Sequence, residues 1–439
     1  MANTALADIF RIKDLRDRIL FTVGVLLIHR LGSTLPIPGI NVTALQSYFL
    51  QQSAQTGLSI TDYLDFFSGG AFTQFSVFML GIMPYISMTI IMQLLLLVFP
   101  KLKKISQEEG GRKRIQRYNR YGTVVLCLIQ GSAVRAYANQ IPNAITMGPG
   151  LYTVVSLLTV TTGTVFLMWL GEQINQRGIG NGISLIIFTG IVARMPRAIW
   201  ILIQAVQDGL NPVFVIVVLG VFIGVIALVI YEQRGQRKIP VHYAKRVVGR
   251  KQYGAQNTYV PFKINPSGVI PVIFASSILV FPLQIAQSLG PNVRWLQSFA
   301  TWLRPGGAPY LITYTILIVF FAYFYTQVTL NPMEISKNIR ENGGSIPGIR
   351  PEKMEEYFTR ILNRIILPGS IFLAFIAVIP TILQGLFGFP QEVAFLMGGT
   401  SLLIMVGVDL DLMSQIEGSL RMHHHEGLVK KGRIRSRNL

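Results

Sequence analysis

Ten apolar runs, each bounded by charge or by turn residues, leave this sequence few folds to choose from. They lie at about 19–35, 75–98, 121–138, 152–170, 183–193, 213–231, 268–286, 310–327, 365–386 and 393–412. A helix needs about 20 apolar residues to cross a ~30 Å hydrocarbon core. Most of the runs reach or approach that length. The fifth is short and ends at Arg194, Pro196 and Arg197, which leaves its outer boundary open. Backbone groups in lipid must bond to one another, so runs of this length read as helices. The expected fold is an all-α polytopic membrane protein with ten transmembrane helices. A composition of 51% hydrophobic and 13% charged residues over 439 positions agrees and is far from that of a soluble domain.

Ten crossings put both termini on one side, and Lys and Arg decide which. The segments on the side of the N-terminus hold 33 of the 39 basic residues. Both termini are therefore expected in the cytoplasm. The remaining six are Arg30, Arg135, Arg194, Arg197, Arg294 and Arg304. The net charge of +19 is then mostly a topology signal and not by itself a sign of nucleic-acid binding. Residues 5–18 read as a basic, amphipathic surface helix, and the run that follows lacks a cleavage site of signal-peptide type. The single Cys127 excludes a disulfide framework and a cysteine metal site.

The stretch 60–99 breaks the pattern. Ser59 and Asp62 have capping-box spacing, and Tyr63, Leu64, Phe66 and Phe67 give a short helix an apolar body. Gly69 and Gly70 end it. A helix of about ten residues rises only ~15 Å and cannot span. The long run behind it carries Pro84, which should loosen its first turn. Ile82, Ile86 and Ile90 fall on one helix face. A re-entrant half-helix feeding an interrupted helix is tolerated only where protein or a cavity surrounds it.

Gly-Ile-Met-Pro (81–84) opens the second run, and Gly-Val-Ile-Pro (268–271) opens the seventh, which is the second of the other five. Five crossings per half give the halves opposite orientation. Such an inverted repeat, with Gly/Pro-broken helices in matching places, points to the functional centre.

Motifs for chemistry are missing: there is no H-E-x-x-H, Walker loop or G-x-S-x-G. His423, His424 and His425 cannot all face one metal on a helix. Gly-Ile-Gly-Asn-Gly (178–182) follows no strand, so it reads as a tight turn and not as a phosphate loop. Charge is expected to be absent from the membrane interior, since Glu172, Asp409 and Asp411 lie near run ends. Ser87, Thr89, Gln93, Ser276, Ser277, Thr400 and Ser401 are neutral and serve either as packing polar groups or as a hydrated seam between the halves. Two cytoplasmic segments, 232–264 and 329–364, exceed what topology needs. The first is basic and aromatic, and the second holds turn residues Gly343, Gly344, Pro347, Gly348 and Pro351. Both suit docking of cytoplasmic partners.

R-L-G-S-T-L-P-I-P-G-I, F-S-G-G, G-I-M-P-Y-I-S-M-T-I-I-M-Q-L-L, G-I-G-N-G-I-S-L-I-I-F, V-V-G-R-K-Q-Y-G-A-Q-N-T-Y, G-V-I-P-V-I-F-A-S-S and I-P-G-I-R-P occur in order from about residue 10 onward. Together they resemble the bacterial SecY family, the large subunit of the protein-conducting translocon. The resemblance implies two pseudo-symmetric five-helix halves, 1–205 and 206–439, hinged near 204–212. It implies a pore ring of Ile82, Ile86, Ile187, Ile273 and Ile404. It implies a plug at about 60–71, with Ile60, Tyr63, Leu64, Phe67, Gly69 and Gly70. The lateral gate would involve Ser87, Gln93, Asn181, Ser276 and Ser277. Arg250, Lys251 and Arg350 would dock a motor or a ribosome. The implied partners are SecE, SecG, the SecA motor, the ribosome, signal peptides, unfolded polypeptides and the lipid bilayer. The implied location is the bacterial cytoplasmic membrane, and no cofactor or enzymatic activity is implied.

Two other readings compete. An inverted-repeat secondary transporter would need coupling charge in the membrane. An intramembrane hydrolase would need a histidine beside a buried Ser or Thr.

Overall fold

The structure, a computed structural model, describes residues 12–45, 47–48, 65, 68–139, 141–207, 212–243, 246–248, 251–253, 257–289, 294–303, 307–387, 393 and 399–431. Each of the ten apolar runs lies at least in part on a helix among the described residues. In chain order these are α1 (Lys13–Thr34), α2 (Met83–Val98), α3 (Pro100–Gln107), α4 (Gly111–Ala138), α5 (Pro149–Arg177), α6 (Gly182–Val192), α7 (Met195–Gln207) and α8 (Pro212–Arg234). Then come α9 (Ile270–Leu289), α10 (Arg294–Trp302), α11 (Ala308–Thr329), α12 (Pro332–Glu341), α13 (Met354–Phe387) and α14 (Gly399–Lys431). Among the described residues, six helical stretches are long and apolar enough to cross a membrane. Met83–Val98 with Pro100–Gln107, bent by 105°, makes a seventh if counted as one. α1 and α4 run their basic ends into the same helix as the apolar run, which dilutes it. Of the expected surface helix at 5–18, residues 5–11 lie outside the described residues, and Lys13, Arg16 and Arg18 begin α1.

Contacts divide the chain into two compact units. One holds Met1–Arg197, Gln284–Gln297 and Ile404–Leu439, and the other holds Ala198–Leu283 and Ser298–Leu403. In the first, a non-helical segment is central. Residues 70–82 form successive turns, with Phe75 and Gly81 at positive φ. Ser76 bridges to Pro36, Ile37 N–H donates to the Phe75 carbonyl at 2.8 Å, and Val77 N–H donates to that of Leu35 at 2.9 Å. Phe72, Phe75, Met79, Cys127, Tyr152 and Val160 share one buried cluster there. Gly163 of α5 lies against the Val77 backbone, where a side chain would collide with the carbonyl oxygen.

The expected loosened first turn is not found. α2 starts at Met83 with Pro84 in its first turn, where the missing N–H has no helical partner to lose. The Phe75–Ile82 part of the run is irregular because its backbone bonds to α1's C-terminal connection instead. The repeat recurs at this level of detail. Gly81 (φ 55°) and Gly268 (φ 58°) each sit two residues before a helix, and Pro84 and Pro271 occupy matching first-turn positions.

The second unit contains an element that the apolar pattern does not announce. β1 (Gln236–Tyr243) pairs antiparallel with β4 (Asn257–Lys263) and with β5 (Gly344–Ser345). A separate ribbon joins β2 (Arg246–Val248) and β3 (Lys251–Tyr253). Ile239, Val241 and Phe262 bury one face of the sheet in a cluster with Ile339, Ile346, Met354, Phe358 and Ile361. Lys238 on the other face lies 4.7 Å over the Tyr259 ring, a favourable cation–π arrangement.

Candidate pore and plug site

Ile82, the N-cap of α2, and Ile86 and Ile90 on the helix are buried, at 1%, 7% and 2% exposure. Ile187 on α6 and Ile404 on α14 are equally buried. These belong to the first unit, whereas Ile273 of α9 belongs to the second and is half-buried. All are branched aliphatics, and α2, α6 and α9 each begin within two residues of a glycine at positive φ.

The turn before α6 is built as the glycine spacing predicts. Gly180 has φ 84°. The Asn181 side chain caps α6 by accepting from Ile183 N–H at 3.1 Å and Ser184 N–H at 3.4 Å. Ile179 N–H donates to the Thr22 hydroxyl at 3.0 Å, and Gly180 N–H donates to Gln415 Oε1 at 2.9 Å. The turn thus ties α1, α6 and α14 together. Asn181 has a structural task here beyond the gate role that the resemblance implies.

Of the other gate candidates, Ser87 and Gln93 on α2 are half-buried, and Gln93 Oε1 has no hydrogen-bond partner among the described residues. Ser276 and Ser277 are fully buried, and their hydroxyls donate to the Ile273 carbonyl at 2.9 Å and 2.7 Å. Bonds back to the same helix satisfy these hydroxyls without a partner helix.

Ile60, Tyr63, Leu64 and Phe67 lie outside the described residues. Asp65, Ser68, Gly69 and Gly70 are described and form a hydrogen-bonded end to the plug stretch. Asp65 is 1% exposed. Its Oδ1 accepts from the Thr73 N–H at 2.8 Å and the Thr73 hydroxyl at 3.0 Å, and its Oδ2 pairs with the Arg194 guanidinium. Gly69, at φ 68°, accepts at its carbonyl from Arg30 at 3.0 Å. A Cβ on Gly69 would stand 2.6 Å from the Gly190 Cα, so the plug end and α6 touch backbone to backbone.

Two acids are nonetheless buried within the protein: Asp65, which is paired, and Glu232, at the end of α8, which is 5% exposed. Sequence reasoning passed over Asp65, Thr73 and the tethering roles of Arg30 and Arg194. The signal was there, since both arginines are among the six basic residues left off the basic side. It also passed over His29, which is buried in α1 and stacks on Phe78 at 6.0 Å.

Of the docking candidates, Arg250 lies outside the described residues. The Lys251 backbone pairs with Val248 in the β2–β3 ribbon. Arg350 is exposed two residues after Gly348, which is at φ 78°. Its carbonyl accepts from Lys353 N–H at 2.9 Å, starting a short 3-10 turn. The Pro-Gly turn and that bond hold the guanidinium outward.

A family model described as SecY matches residues 76–413. The protein translocase subunit SecY of Borreliella burgdorferi is 49% identical over 94% of this chain and 94% of its own length. That of Escherichia coli K12 is 41% identical over 96% and 95%. Among solved structures, one described as a protein conducting channel aligns over 91% of both chains with a TM-score of 0.64 at 20% identity. Sec61 in a canine ribosome-channel complex aligns over 91% of both with a TM-score of 0.60 at 19% identity. The fold is therefore that of these channels, a multi-pass helical membrane protein, and at such identity over nearly its whole length the chain belongs to the SecY family.

Proposed function

We propose that this chain is the protein-conducting channel of a bacterial translocase, passing unfolded polypeptides across the cytoplasmic membrane and releasing apolar segments sideways into lipid. The observation that carries this reading is near-full-length identity to translocase subunits. The irregular segment that leads into α2, with the buried isoleucines at 82, 86 and 90, supports it. A conduit for varied chains needs no group that binds one side chain. A ring of Ile82, Ile86, Ile187, Ile273 and Ile404 would seal by excluding water and yield to a passing chain. The halves 1–205 and 206–439 would open about 204–212, with Ser87, Gln93, Asn181, Ser276 and Ser277 near the opening seam. SecE and SecG would be its small partners. The drive would come from SecA or a translating ribosome, docked on Arg250, Lys251 and Arg350, so the chain itself would not be an enzyme. The test is export of a signal-bearing reporter in cells depleted of their own SecY and supplied with this chain and its cognate SecE and SecG. Inserted protein without export would end the reading.

Two expectations follow from the charge pattern. In a Cys127→Ser background, a single cysteine at Thr146 labels from outside intact cells. One at Ser345 labels only after the membrane is opened. The reverse result would invert the topology. Arg350→Glu should abolish SecA-driven export while insertion is unchanged, because a like charge brought against the partner's acidic groups repels the partner. SecA stimulation equal to the parent's would remove Arg350 from the docking surface.

A further inference from the structure

Four ties converge on the end of the plug stretch, and none of them involves the apolar residues expected to hold it. Asp65 pairs with Arg194, which sits in the break between α6 and α7. The carboxylate is also held by both Thr73 donors. Arg30 of α1 holds the Gly69 carbonyl, and Gly69 rests on Gly190 of α6, one turn before Arg194. The Asp65 side chain is 2% exposed and that of Arg194 25%.

We propose that the Asp65–Arg194 pair is a latch that sets how strong a signal sequence must be to open the channel, an inference that rests on the translocase reading above. Pulling the plug stretch away separates the two charges while the site is still dry. A buried charge deprived of its partner is strongly disfavoured. Once water enters, the same two charges are solvated and the barrier is gone. The pair therefore resists small displacements and does not oppose the open state. Opening becomes all-or-none, and a weak signal that cannot supply the first step fails. Gly69 and Gly190 admit the plug end closely enough for Asp65 to reach Arg194, and Arg30 fixes its direction. Asp65 and Arg194 are thus specificity-determining residues for substrate choice, not parts of the seal itself.

The test uses the full chain with its cognate partner subunits in SecY-depleted cells, with two reporters, one with an intact and one with a defective signal. Export is normalised to inserted channel. Asp65→Asn and Arg194→Gln should each raise export of the defective reporter about tenfold, the ratio that 1.4 kcal/mol produces, and leave the intact reporter unchanged. Arg194→Lys keeps the charge and should stay near the parent. The double neutral variant should relax stringency no more than the single ones, because all remove the same interaction and only the double leaves no charge unpaired. Inserted Asn and Gln variants that still reject the defective reporter would overturn the latch, as would additive effects in the double variant. Should the neutral variants fail to insert, Thr73→Val takes their place. It removes one bond to the carboxylate and keeps the pair, and it should relax stringency severalfold; no change there would equally overturn the proposal. A parent that exports neither reporter would instead refute the translocase reading.

Discussion

Ile404→Asn is expected to raise resting ion conductance and to pass substrates with defective signals, by roughly tenfold to a hundredfold. Ile404 is 2% exposed. Burying an isoleucine side chain is worth about 1.5–3 kcal/mol, and each 1.4 kcal/mol is about tenfold in an equilibrium. An amide in its place removes that gain from the closed state, whereas an open, wetted pore accepts the amide readily. An isoleucine of the ordinary core behaves oppositely. There Asn only destabilises, by leaving polar atoms unbonded in an apolar site, and the outcome is less protein, not more conductance. The sign of the effect thus separates the two roles. Ile273→Asn should act in the same direction but more weakly, since Ile273 is only half-buried. The measurement is single-channel current of the purified complex in planar bilayers, paired with export of a signal-defective reporter. Folded Asn variants that are silent in both would remove these residues from the ring.

Gly163→Leu should severely impair folding of the first unit. α5 crosses the irregular 70–82 segment at this glycine, and any side chain there meets the Val77 carbonyl oxygen. Backbone cannot step aside cheaply here, because Val77 N–H is bonded to Leu35 and Phe75 O to Ile37. Overpacking of this kind costs about 1–3 kcal/mol and more when backbone is the obstacle. The expected result is a marked fall in melting temperature in detergent, with poor accumulation in cells. By contrast Gly220 on α8, with open space where a Cβ would stand, should accept Ala with no loss. Equal melting of the Gly163 variant and the parent would contradict the packing described for this crossing.

The membrane helices were legible in the sequence because burial in lipid imposes a length and a polarity on every crossing. Local glycine chemistry was legible too, as the turn before α6 and the paired breaks at Gly81 and Gly268 show. What escaped has physical reasons. Residues 70–82 are as apolar as a helix, and only long-range bonds to 35–37 keep them from becoming one. The strands β1 and β4 are rich in Arg, Lys and Pro. Their alternation, with Ile239 and Val241 inward, is too short to stand out beside the loop's overall charge. Asp65 reads as one acid in an aromatic stretch, and its partner is 129 residues away. Pairing over such a distance leaves no local pattern.

The strand pairing at His242–Ser345 and Tyr243–Gly344 binds the two long segments 232–264 and 329–364 into one sheet. A β-strand turns a side chain to alternate faces, so adding one residue inside β1 would send Ile239 and Val241 to solvent and draw Lys238 and Pro240 toward the apolar cluster. Evolution can therefore lengthen or shorten this part of the protein only outside the paired residues, at 244–245, 249–250 or 254–256. Relatives that differ in loop length should carry their insertions there, with the spacing from Gln236 to Tyr243 held constant. A fluorescent or affinity tag introduced by protein engineers should obey the same rule: tolerated at the tip of the hairpin, and ruinous a few residues earlier.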